Sequence, residues 1–125
     1  MYKILFIVGI GGFIGSVARF LFQKLAAEIF SVSFPIGTFL INIAGSFIIG
    51  FLAGLSEKGN LLSLEMRMFL ATGFCGGFTT FSTFSLECMN LIRDGNLIYF
   101  FIYSVLSVVL SLIAVYLGFL FSKLF

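Results

Sequence analysis

Residues 29–56 and 95–122 contain no charged side chain, and residues 68–86 are equally free of charge. A fourth apolar run, 4–18, is interrupted by Arg19 and resumes through Phe22. About 20 apolar residues cross the hydrocarbon core of a bilayer. The pattern therefore predicts four transmembrane helices over roughly 3–27, 35–56, 65–92 and 96–122. Only 10% of the chain is charged, 61% is apolar, and the mean hydropathy is +1.23. Soluble domains carry about a quarter charged residues. The whole chain, 1–125, reads as one all-α integral membrane domain.

A net charge of +2 is too small to argue for nucleic acid as a partner, and no basic patch is present, so none is expected. Cys75 and Cys88 sit among apolar neighbours and read as reduced, buried thiols. Histidine is absent, which removes the commonest proton shuttle and metal ligand. Lys3, an apolar run and Ser16-Val17-Ala18 resemble a secretory signal with a cleavage site. The Gly11/Gly15 packing pair and the three further spans favour a retained first helix.

The predicted loops are short: Ser31 to Pro35, Glu57-Lys58-Gly59-Asn60 and Arg93-Asp94-Gly95-Asn96. Function must then reside in the helices. Small residues four apart recur at Gly11/Gly15, Ser46/Gly50, Gly50/Gly54 and Gly73/Gly77, a spacing that lets helix backbones approach closely. With four spans, Lys3, Lys58, Arg67 and Lys123 share one side, against Lys24 and Arg93 with Arg19 deeper. So weak a bias permits insertion both ways round. Four short helices cannot easily enclose a pore. An antiparallel two-fold homodimer is the simplest remedy, mimicking the inverted repeats of larger transporters.

The third span contains Gly73-Phe74-Cys75-Gly76-Gly77-Phe78-Thr79-Thr80-Phe81-Ser82-Thr83-Phe84-Ser85. Adjacent glycines cost about 2 kcal/mol of helix propensity against two alanines. A break is therefore expected near the middle of this helix, starting at the glycines. Backbone opened inside a membrane is tolerated only where protein, water or an ion satisfies it, so the break points to an ion or substrate site. Thr38, Asn42 and Ser46 form a polar stripe on the second span, and Tyr103, Ser107 and Ser111 form one on the fourth. A membrane Ser or Thr commonly bonds its own helix, whereas an Asn amide needs partners. Stripes and break together read as one polar path. Glu87 lies past the break, as an interfacial carboxylate or a vestibule residue. Arg19 either snorkels or pairs at a subunit contact. Phe81 and Phe84 follow the break at i, i+3, and their ring edges carry the partial positive charge that supports a small anion.

The segment Gly-Gly-Phe-Thr-Thr-Phe-Ser-Thr-Phe at 76–84 resembles the signature of the Fluc (CrcB-type) fluoride channels. Gly11-Gly-Phe-Ile-Gly15-Ser-Val-Ala-Arg19-Phe20 is similar to that family's first-helix motif, and Pro35-Ile-Gly37-Thr38-Phe-Leu-Ile-Asn42-Ile-Ala-Gly45-Ser-Phe47 to its second. Phe78 replaces a common Leu, a lipophilic exchange. The resemblance implies a dual-topology antiparallel homodimer in the cell membrane with two narrow fluoride pores. It implies a central structural Na+ held by the backbone carbonyls of Gly76 and Thr79. Phe81 and Phe84 would face fluoride, with Asn42 as amide donor and Tyr103, Ser107, Ser111 and Thr83 along the polar track. Arg19 would serve the dimer or its structure, and Glu87 the vestibule. The function implied is passive fluoride export rather than catalysis. A negative-inside potential of about 100 mV drives each exported anion by about 2.3 kcal/mol. A small dual-topology multidrug or cation exporter is the alternative, but it needs an embedded acid in a first span that offers only Arg19 before its end.

Overall fold

A computed structural model describes residues 1–59 and 61–125; Asn60 of the predicted second turn lies outside them. Helix α1 spans Tyr2–Ile29 and α2 spans Ile36–Glu57. A short helix α3, Leu64–Arg67, runs into a π-helical stretch, Met68–Cys75, and then into the single turn α4, Gly76–Phe78. After two extended residues, α5 covers Phe81–Arg93 and α6 covers Leu97–Ser122. Among the described residues, α1, α2 and α6 are each long and apolar enough to cross a membrane as one helix. The third predicted span is composite, assembled from 64–78 and 81–93.

The break falls later than the glycines suggest. Gly76 is helical, with φ −62° and ψ −37°. The chain opens at Thr79 (φ −85°, ψ 158°) and Thr80 (φ −151°, ψ 123°). Propensity placed the break at Gly76-Gly77, but both residues stay helical, and Gly77 serves helix packing. A Cβ on Gly77 would strike the Gly12 carbonyl oxygen of α1, whereas one on Gly76 would meet nothing within 4 Å.

Two glycine-mediated pairings build the bundle. The π-helical stretch and α4 lie along α1, where Gly11 and Gly15 meet the backbone of Phe69, Gly73, Phe74 and Phe78. Helix α2 packs along α6, its most extensive partner, with Gly50 against the Val115 carbonyl and Gly118 against the Phe47 carbonyl. Removing Cβ lets backbones touch where lipid-like side chains supply no hydrophobic drive for association. Helix α5 packs mainly on α6. The turn into α6 is a Schellman-type closure: Asn96 N–H reaches the Leu91 carbonyl, and Gly95 adopts φ +80°.

Much apolar surface points outward, including Phe6, Phe13, Phe20, Ile98 and Leu112. A chain that buries Tyr103 and Thr38 while exposing these side chains has lipid as its solvent. The protein is a multi-pass membrane protein.

Candidate functional site

The extended pair Thr79-Thr80 interrupts the helical hydrogen-bond ladder, and side chains from other helices take over. Thr80 N–H donates to Asn42 Oδ1 at 2.9 Å, and Asn42 Nδ2 donates to the Thr80 carbonyl at 3.0 Å. Arg19 Nε donates to the Gly77 carbonyl at 3.0 Å. The Thr80 hydroxyl caps α5 by accepting from Thr83 N–H at 3.2 Å. In a continuous helix, Thr80 N–H would serve the Gly76 carbonyl and Thr83 N–H the Thr79 carbonyl. Both donors are engaged elsewhere, so these two carbonyls are released from the ladder. The Thr79 side chain takes no part in that release, because its hydroxyl donates back to the Cys75 carbonyl at 2.9 Å.

Beside the break lies a groove of about 410 Å³. Asn42, Phe81, Phe84, Ser107 and Ser111 line it together with the backbone around Gly76 and Thr79. Ser107 is only 7% exposed, and its Oγ is the one buried side-chain polar atom without a partner among the described residues. Leaving such a hydroxyl unsatisfied costs about 1–3 kcal/mol. Phe81 is 78% exposed, and its ring centroid lies 5.6 Å from that of Phe84.

The polar side chains read as one path from their spacing fall into two clusters within the chain. Tyr103, Thr38, Thr83 and Glu87 belong to a second cluster. Tyr103 OH donates to Glu87 Oε1 at 2.8 Å, and Thr38 Oγ1 donates to Glu87 Oε2 at 3.0 Å. Gln23 Nε2, absent from the sequence reading, donates to Thr38 Oγ1 at 3.0 Å. A second groove of about 370 Å³ is lined by Gln23, Thr38, Thr83 and Glu87 with apolar neighbours from 26–37. Tyr103 stands between the two grooves. It is fully buried, its ring centroid is 5.0 Å from that of Phe84, and its hydroxyl is on Glu87. Glu87 is therefore tied into the helix bundle rather than free at an interface. Thr83 Oγ1 accepts from Thr80 Oγ1 at 3.1 Å, which joins the cap of α5 to the second groove. Arg19 turns inward to the break, where its Nε holds the Gly77 carbonyl, rather than snorkelling to the interface.

The arrangement can do two kinds of chemistry. Released carbonyls present partial negative charge suited to a hard cation. The unpartnered hydroxyl, the second N–H of Asn42 and the aromatic edges present partial positive charge suited to a small anion.

The family model described as "CrcB-like protein, Camphor Resistance (CrcB)" matches residues 6–119. A protein of Chlorobium phaeobacteroides (strain BS1) is 46% identical over 98% of this chain and 95% of its own length. One of Chlorobium luteolum is 50% identical over 94% and 90%, and one of Azobacteroides pseudotrichonymphae is 45% identical over the full length of both. Each of the three is named "Fluoride-specific ion channel FluC". Given the glycine-packed four-span bundle, the break at Thr79-Thr80 and a match across nearly its whole length, the chain belongs to the CrcB-like family.

Proposed function

We propose that this protein is a fluoride-selective channel that lets F⁻ leave the cytoplasm passively across the plasma membrane. The unpartnered Ser107 hydroxyl carries the reading, because it is buried in the same groove as Asn42, Phe81, Phe84 and Ser111. Fluoride is small and tightly hydrated, so donors along the path must replace its water. Several weak sites rather than one strong one allow it to leave again. Ser107 offers an unused hydroxyl, and Asn42 keeps one N–H after bonding Thr80. The rings of Phe81 and Phe84 exclude water and offer polarised edges. Glu87, held by Thr38 and Tyr103, lies at the vestibule, where Tyr103 and Thr83 continue the track.

The groove is open on the side where Phe81 is exposed, and closing it calls for a second copy. An antiparallel homodimer gives two such paths, and the near-balanced Lys/Arg distribution supports dual topology. The Gly76 and Thr79 carbonyls fit a central Na+, since both lack their helical donors and two chains supply four oxygens. Such an ion would compensate the partial charges exposed where the two helices open.

Proteoliposomes loaded with fluoride, chloride or a cationic dye test the reading. Efflux of fluoride alone is the expected outcome. Dye transport would instead favour a multidrug exporter, and silence toward all three a structural role.

A further inference from the structure

We propose that Gln23 is a positioning residue for Glu87, acting through the Thr38 hydroxyl. The inference rests on the reading of Glu87 as part of the anion vestibule. Three hydrogen bonds converge on the carboxylate or its partner: Gln23 Nε2 to Thr38 Oγ1 at 3.0 Å, Thr38 Oγ1 to Glu87 Oε2 at 3.0 Å and Tyr103 OH to Glu87 Oε1 at 2.8 Å. A hydroxyl owns one hydrogen. Because the Gln23 amide donates to Thr38, that hydrogen is left to point at Glu87. Both Glu87 oxygens then receive a donor, and the carboxylate is held against α2 and α6 rather than projecting into the groove of about 370 Å³. Without Gln23, the Thr38 hydroxyl loses its direction, and Glu87 is free to swing its charge into the path of an anion.

An amide is suited to this task because its two ends are opposite in character. Turned over, the Gln23 carbonyl would accept the Thr38 hydrogen and take it from Glu87. A carboxylate of the same shape would enforce that wrong direction permanently. The titratable groups facing the relay are Glu87 and the half-buried thiol Cys88 on α5 and Tyr103 on α6; α2 presents Thr38, and Lys24 and Glu28 of α1 are exposed.

The test is fluoride efflux from proteoliposomes, corrected for protein-free vesicles, across mildly acidic to mildly alkaline pH. Gln23→Leu is expected to slow efflux about five-fold, one hydrogen bond's net free energy expressed as a ratio. Thr38→Val should slow it similarly, and the double variant no further than either, since the two residues act in series. Gln23→Glu should be slow at alkaline pH and recover towards wild type on acidification, because a protonated carboxyl regains the donor that Thr38 needs. A purely structural role would not produce that recovery. Wild-type efflux in Gln23→Leu, additive losses in the double variant, or Gln23→Glu without acid recovery would each overturn the inference. If the wild-type protein itself passes no fluoride, the channel reading and this inference fall together; if it conducts, any of those three results removes this inference alone.

Discussion

Asn42 pairs both ends of its amide with the backbone of one residue, Thr80, as a neighbouring β-strand would. This two-bond ring lets a helix open within the membrane without leaving Thr80 unsatisfied. Asn42→Asp keeps the acceptor but places a carboxylate against the Thr80 carbonyl. We expect a stability loss of about 2 kcal/mol or more, read as a lowered thermal midpoint, together with loss of fluoride efflux. A stable, fully conducting Asn42→Asp would remove both roles.

Phe81 permits a cleaner test of the proposed anion path. It is 78% exposed, so Phe81→Ile removes no core contact of the chain. Surface substitutions of this kind shift stability by about 0.5 kcal/mol or less. Efflux should nevertheless fall at least about tenfold, equivalent to about 1.4 kcal/mol of lost anion stabilisation. Unchanged efflux would mean that the ring only packs.

The adjacent glycines should respond differently. A Cβ at Gly77 collides with the Gly12 carbonyl of α1, so Gly77→Ala is expected to lower the yield of folded protein. Gly76 has open space around it within the chain. Gly76→Val should therefore fold, but fail to dimerise if this surface meets a second copy and a shared Na+. Crosslinking in detergent, with sodium or with a bulky organic cation in its place, measures the difference. Sodium-independent dimers in both wild type and Gly76→Val would exclude the central ion.

Topology is open to labelling. Asp94 is exposed in the turn before α6, so a cysteine placed there in a Cys88→Ser background presents a reactive thiol. An impermeant maleimide should modify about half of it from each side of sealed vesicles, as equal numbers of opposed chains require. Modification from one side only would rule out the antiparallel assembly.

Long-range partners explain where sequence reasoning stopped. The spans were legible because the spacing of charges sets them, and the existence of the break was legible from the low helix propensity of the glycine pair. Its position was not. Thr80 opens because Asn42, which is 38 positions away in the sequence, captures its backbone, and no local propensity encodes that contact. The stripes on α2 and α6 were visible as periodicities, but helix rotation assigns Thr38 and Tyr103 to Glu87, and Asn42 and Ser107 to the other groove. The roles of Gln23 and Arg19 depend on the same tertiary geometry. Gly118 is different, because Ala114, Gly118 and Ser122 repeat the small-residue spacing already noted on the other helices, and all three are buried.

The pairing of α2 with α6 also bears on how the chain is made. Ribosomes deliver helices to the membrane in order, and α2 must wait for the last of them before Gly50, Gly54 and Gly118 can close their contact. Until α5 and α6 emerge, Thr38 and Asn42 have no Glu87 and no Thr80 to bond. Newly inserted α2 is thus a polar-striped helix awaiting partners. A nascent chain stalled before α6 should be recognised by quality-control proteases, while the same truncation after Ser122 should be spared.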